Sequence, residues 1–245
     1  MRNRQYIKFL WSHDLAIHRY LVRTYNAFSR YIPFSIKYGL GLKLRGKRFP
    51  YCLIKPGSVI VQIGAPRDTL LAGRSRGMYF SLLAGANGKV FIIEPDIESA
   101  TLFEEMLQAR GLNNTIVCRF AAWNEKGVLR IYVNDRHPAS SFTEGTKNYT
   151  GKRLSEFRVV EMPANTVDEL IKQSGVERVD LVSITTNGAE RKILEGMRGL
   201  ISSGLPHIAL AHTGEAYDKM MEGFGYELLA HDDRGFTFER KKTHT

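Results

Sequence analysis

Residues 178–197 read RVDLVSITTNGAERKILEGM, and this stretch decides the fold. VDLVSI is a short, mostly aliphatic run of the kind that forms a strand buried on both faces. Thr185, Thr186, Asn187 and Gly188 interrupt it, and ERKILEGM resumes with apolar residues at helical spacing. Strand, turn and helix in that order are the repeating unit of an α/β sheet, and such sheets bind ligands beyond the carboxyl ends of their strands. Here that end carries two hydroxyls and an amide where a catalyst would ordinarily place a carboxylate.

The same unit recurs on either side. SVIVQIG (58–64) reads as a first strand ended by Gly64, with a helix near 77–84. GKVFIIEPD (88–96) is a second strand, closed by Glu94, Pro95 and Asp96, and a helix follows to Gly111. NTIVCRFAAW (114–123) reads as a third strand, and PHIALAH (206–212) as a fifth after VDLVSI. Extra strands are expected at 127–135 and 157–165, and a single helix at 190–204. Thr166 is a candidate N-cap for a helix beginning TVDEL. YELLAHDDRGFTFER (226–240) has the pattern of a hairpin turning at Asp233-Arg234-Gly235. The expected fold class is therefore α/β and Rossmann-like: a mostly parallel sheet with helices on both faces and a C-terminal antiparallel hairpin.

The 245 residues suit one such domain with an extension, and 43% hydrophobic and 24% charged residues are ordinary for a globular chain. The net charge of +10 is uneven: residues 1–56 hold 12 of the 35 Lys and Arg, one acid (Asp14) and 11 of the 26 aromatics. We therefore divide the chain into a basic, aromatic-rich helical extension (1–56) and a Rossmann-like domain (57–245). Ile7, Leu10, Trp11, Ile17, Leu21, Tyr25, Phe28 and Ile32 recur at helical spacing over 6–32, with Arg19, Arg23, Asn26 and Arg30 on another face. The plain reading is a helix packed on the main domain; the sharper one is contact with a membrane surface through residues 1–50. Nucleic acid is the weakest of the partner readings, because no basic stripe interleaved with aromatics continues past residue 56. Residues 37–50 read as a basic, glycine-rich linker or loop. The start lacks the clean apolar core of a signal peptide, so the expected location is cytoplasmic, with peripheral membrane contact as the variant. Cys52 and Cys118 stand far apart without a CxxC, and no metal site is expected.

Gly64 permits a tight turn and close backbone approach to a ligand. Glu94 at the second strand end can accept both hydroxyl protons of a ribose. A nicotinamide cofactor fits poorly, since G-x-G-x-x-G is missing and Glu94 follows Gly64 by 30 residues instead of about 20. One glycine turn, an acidic second strand end and a terminal hairpin form the layout of a methyltransferase that uses S-adenosylmethionine.

Over roughly 57–212 the chain also resembles the FkbM-type methyltransferases. The resemblance rests on VIVQIGA, GMYFSLLA, GKVFIIEPD, AAWNEKGVLRIYV, TVDEL and VDLVSITTNGAERKILEGM. It implies S-adenosylmethionine as cofactor and O-methylation of a small-molecule or glycan acceptor: a sugar, a glycan or a lipid-linked saccharide. It implies cofactor contacts at Gln62, Gly64, Ala65, Gly77, Glu94, Pro95, Ala121 and Ala122. Three departures stand out. The family's first turn, D-x-G-A-N-x-G, has Gln62 for its acid and about nine extra residues before Gly77. That insert holds Arg67, Asp68, Arg74 and Arg76, and is either a lid or a surface loop. The family's Lys-Ile-Asp is Ser183-Ile184-Thr185, and its Glu-Gly-Ala-Glu is Asn187-Gly188-Ala189-Glu190. His212 is then the first candidate base and Glu190 the second, with Thr185 and Asn187 beside them. The competing readings are a structural histidine closing a strand and a first-turn glutamate favoured by the helix dipole. His137, in the long polar stretch 134–157, is a further candidate. Asp168 matches a family position and also suits a first-turn helix acid. An alternative to catalysis is a non-catalytic descendant that binds a partner or a membrane surface.

Overall fold

In the computed structural model, which describes residues 24, 28, 29, 31–147, 151–212 and 215–241, the centre is β1 (Val59–Ile63). It pairs in parallel with β2 (Lys89–Ile93) on one side and with β8 (Leu181–Ile184) on the other. β3 (Thr115–Cys118) extends the sheet beyond β2, and β9 (His207–Leu210) extends it beyond β8. The antiparallel hairpin of β10 (Tyr226–His231) and β11 (Phe236–Arg240) completes seven strands in the order β10-β11-β9-β8-β1-β2-β3. The parallel part runs 3-2-1-4-5, the doubly wound order.

Alternate residues of these strands face opposite layers, as a period of two requires. Val61, Phe91, Val182 and Ile208 join a core with α5 (Val167–Ser174), α6 (Glu190–Glu195), α7 (Arg198–Ser203) and α8 (Glu215–Gly223). Ile60, Val90, Ile92 and Leu181 join another with α1 (Phe34–Arg45), α3 (Arg76–Ala84) and α4 (Ile97–Gln108). Each fully buried aliphatic side chain contributes roughly 1.5–3 kcal/mol by leaving water. Ser75, Asp96 and Thr166 cap α3, α4 and α5 by accepting from the amides of Met78, Ser99 and Glu169.

Three expectations are corrected. Residues 37–50 are no linker: α1 occupies Phe34–Arg45, and Tyr38 and Tyr51 are buried in the same core as Met78 and Phe80. Gly41 suggested a loop; it is instead the close-packing point of a helix, since a Cβ there would collide with the Tyr79 ring. The core thus runs across the boundary drawn at residue 57. The stretch 114–123 is two strands, with β3 in the main sheet and β4 (Ala121–Ala122) in a second. The stretch 190–204 is two helices, because the Asp168 carboxylate accepts from the amides of Gly199 and Leu200 and starts a new helix there. The basic helix expected over 6–32 lies almost wholly outside the described residues.

The second sheet has the order β4-β7-β5-β6 and contains β5 (Gly127–Val133), β6 (Phe142–Thr143) and β7 (Arg158–Asn165). It stands over the carboxyl ends of β1, β2 and β8. Among the described residues, no helix is long and apolar enough to cross a membrane.

Candidate active site

A cavity of about 390 Å³ lies between the two sheets. Ile63 and Gly64 from the end of β1, Glu94 and Pro95 from the end of β2, and Thr185, Thr186 and Asn187 from the end of β8 form its floor. Ala121 and Ala122 line one wall, and the inner faces of β5, β6 and β7 (Ile131, Val133, Phe142, Val160 and Met162) form the roof. The volume falls in the range of small-molecule sites, and the lining has their usual character of apolar walls with a few polar groups.

Glu94 is the buried charge of this floor. Its Oε2 accepts from the Ala65 amide at 2.6 Å and its Oε1 from the Asp96 amide at 3.0 Å. Burial pushes its pKa up to about 7, although those two amides pull the other way. A carboxylate has about four acceptor sites, so two bonds to backbone leave capacity for a ligand's hydroxyls. Gly64 has φ +84°, and a Cβ there would lie 2.5 Å from the Thr185 carbonyl oxygen. This glycine is required both by its conformation and by the close approach of β8.

The acids expected from the family are replaced by groups that bond to one another. Gln62 Nε2 donates to Thr185 Oγ1 at 2.8 Å and to the Gly64 carbonyl at 2.8 Å, and Thr185 Oγ1 donates to the same carbonyl at 3.0 Å. A neutral amide and a hydroxyl thus brace the first turn together. Asn187 has another task. Its Nδ2 donates to the carbonyls of Ala139 at 2.7 Å and Ser141 at 2.8 Å, while its own carbonyl accepts from Thr146 Oγ1. It ties the segment before β6 across the cavity. A carboxylate in that position would face two carbonyls with no proton to give. Asn187→Asp should therefore release the strap at a cost of about 1–3 kcal/mol, read as faster hydrogen exchange over residues 136–146.

The insert after Ala65 folds as α2 (Arg67–Leu71), with Pro66 on the cavity wall. Arg67 pairs with Glu98 and donates to the Asp135 carbonyl, while Arg158 bridges Asp135 and Asp96. These ion pairs rim the mouth. Arg76 points the other way, into the sheet, where it is 2% exposed. Its Nη2 meets Asp232 at 2.6 Å, and it also pairs with Asp233. Nη1 donates to Ser183 Oγ at 3.3 Å, so a cation from α3 sits against β8. Burial would lower the pKa of Arg76, but the two aspartates overcome this and raise it. Burial alone would raise that of Asp233, but Arg76 and Arg234 hold it below the ordinary value.

The expected site residues fall into two groups. Gly64, Glu94, Pro95, Ala121, Ala122, Thr185 and Asn187 line the cavity. Gln62, Ala65, Gly77, Glu190 and His212 do not. Gln62 and Ala65 support the floor from behind. Gly77 lets α3 approach the sheet, since a Cβ would lie 2.6 Å from Ile92. Glu190 is fully buried and accepts from the Gly188 amide and the Tyr217 hydroxyl. His212 is exposed and its ring lies 4.7 Å from that of Tyr217, whose pKa is pushed up to about 12 by burial and by Glu190. His137 is exposed beside the strap. Sequence reasoning missed Thr186, whose hydroxyl is buried at the cavity without a hydrogen-bond partner. It also missed the apolar roof, although the alternation of GVLRIYV already contained it.

These features fit S-adenosylmethionine. A ribose would take the free acceptor capacity of Glu94, the Thr186 hydroxyl awaits a polar partner, and the apolar walls suit an adenine.

No curated protein matches the chain in sequence. Among solved structures, it is similar to the methyltransferase FkbM of Methylobacillus flagellatus at 17% identity and TM-score 0.45, covering 76% of this chain and 43% of that one. A SAM-dependent methyltransferase of Aquifex aeolicus is 13% identical with TM-score 0.42, covering 87% of this chain and 95% of its own. Fibrillarin of Aeropyrum pernix, with natively bound S-adenosyl-L-methionine, is 14% identical with TM-score 0.41, covering 86% and 75%. The chain thus spans less than half the length of the first of these. The model of the methyltransferase FkbM domain matches residues 62–238, from the glutamine behind the first turn to the last strand of the hairpin. The chain belongs to the FkbM methyltransferase domain family, whose cofactor is S-adenosylmethionine.

Proposed function

We propose that the protein moves a methyl group from S-adenosylmethionine to a hydroxyl oxygen of a sugar, a glycan or a lipid-linked saccharide. The observation that carries this reading is the two-sheet cavity with Glu94 buried in its floor and acceptor capacity to spare. The bound cofactor supplies an electrophilic methyl group on a sulfonium. Glu94 holds the ribose, Gly64 lets the chain lie close, and the roof of β5 to β7 keeps water out. The acceptor enters at the mouth, where Asp96, Asp135 and Arg158 present hydrogen-bonding groups to a polyhydroxylated molecule. Thr185, Thr186 and Asn187 carry no titratable group, so the acceptor proton leaves through the mouth, where the Asp96 carboxylate and water can take it. Catalysis then rests on positioning, which suits a donor that is already reactive. The test is transfer of labelled methyl from S-adenosylmethionine to glycan and lipid-linked saccharide fractions; label appearing only on protein or nucleic acid would overturn the acceptor class.

A second reading, a binding protein without turnover, draws on the neutral Gln62–Thr185 pair and the strap held by Asn187. It gains if the cofactor binds in calorimetry and no fraction is ever labelled.

A further inference from the structure

Among the described residues, α1 buries one face and leaves the opposite face uncovered. Toward the protein, Tyr38 Oη donates to the Leu70 carbonyl at 2.8 Å, Lys37 Nζ donates to that of Leu71 at 2.6 Å, and the Arg110 guanidinium lies 3.9 Å from the centre of the Phe34 ring. Toward solvent, Ile36, Leu40 and Leu44 follow each other at four-residue spacing and are 58%, 56% and 58% exposed. Three large aliphatic side chains in one line exceed the single apolar residues of an ordinary surface. Lys43 lies on the same face, and Lys47 and Arg48 are exposed just beyond the helix. Asp14 is the only acidic residue in 1–56, against 12 Lys and Arg.

We propose that this face docks on an anionic lipid surface. The stripe is aliphatic with a flanking charge of one sign, and a fluid bilayer with acidic headgroups satisfies both without shape complementarity. Lysine stems can lie along the apolar layer while their ammonium groups reach the headgroups. The docking helix rests on α2, whose preceding Pro66 lines the cavity, so the lipid surface and the cofactor site share one structural support. Lipid docking does not depend on the methyl-transfer reading, and its assay needs no cofactor.

The test is co-sedimentation of the full chain with phosphatidylcholine vesicles prepared with and without phosphatidylserine. The chain should sediment with the phosphatidylserine vesicles, stay in solution with the neutral ones, and be released as salt rises. The triple variant Ile36→Ser, Leu40→Ser, Leu44→Ser, its melting checked against the parent, should bind at least ~10-fold more weakly. Lys43→Glu with Lys47→Glu keeps the stripe and should also lose the salt-sensitive binding. Absence of sedimentation with either vesicle overturns the proposal, as does equal binding by parent and triple variant. A self-association or protein complex that the triple variant dissolves, with no lipid binding by the parent, assigns the face to a protein partner and also overturns it.

Discussion

Glu94→Gln is expected to weaken S-adenosylmethionine binding about 30-fold or more and to abolish its pH dependence, as measured by calorimetry. Both carboxylate oxygens already accept from backbone amides, of Ala65 and Asp96. An amide side chain must turn its NH2 toward one of those donors, which breaks one support of the floor, and it offers a ribose one acceptor oxygen instead of two. Loss of a hydrogen bond to a charged group costs about 1.5–3 kcal/mol, which sets the size of the effect. In the parent chain the pH dependence has two opposite slopes. The folded Glu94 releases its proton near pH 7, whereas the ordinary value, which the unfolded chain follows, is 4.5. Between those values the folded state holds a proton that the unfolded state has lost, so the stability contribution is complete below 4.5 and fades as pH rises through 7. Ribose hydroxyls donate to the ionised form, so affinity for the cofactor rises over the same window. The stabilisation that the cofactor gives in melting experiments should therefore grow from pH 6 to pH 8, by up to about tenfold in affinity per pH unit below the pKa. Equal affinity of parent and Glu94→Gln would remove Glu94 from the cofactor site.

Arg76→Met should destabilise the fold by about 3–5 kcal/mol, the usual cost of leaving a buried charge without its partner. The Asp232 side chain is fully buried and that of Asp233 is 22% exposed, and Tyr51 donates to Asp233 at 2.9 Å. The guanidinium therefore joins three parts of the chain: α3, the hairpin turn, and the segment that follows α1. Urea denaturation should show the loss in the transition midpoint, and the added variants Asp232→Asn and Asp233→Asn should recover part of it, because they remove the orphaned charge. A change under about 1 kcal/mol would mean that water reaches this cluster and screens it.

The strands of the main sheet were legible because their patterns are short aliphatic runs ended by glycine, glutamate-proline or threonine. GKVFIIEPD announced both a strand and the carboxylate at its end. The hairpin was equally plain in YELLAHDDRGFTFER. What the sequence hid were features set by distant contacts. Gly39 and Gly41 looked like breakers, and only the Tyr79 ring shows why a helix needs Gly41. Arg119 and Phe120 give no local sign that the chain changes sheets between Cys118 and Ala121. The replaced acids looked like independent losses, whereas Gln62 and Thr185, 123 residues apart, form a pair. His212 and Glu190 qualified as bases by position, yet their side chains meet around Tyr217 instead of facing the cavity.

The change of sheet after Cys118 has a consequence for cooperativity. Among the described residues, no strand belongs to both sheets. The four-stranded unit can therefore open as one subglobal unit while every ladder of the seven-stranded unit stays closed. A ligand in the seam touches both units and binds only the closed form, so each opening becomes rarer by a factor of one plus the ligand concentration over its dissociation constant. The cofactor then serves as a clasp that sets how long the two units remain joined.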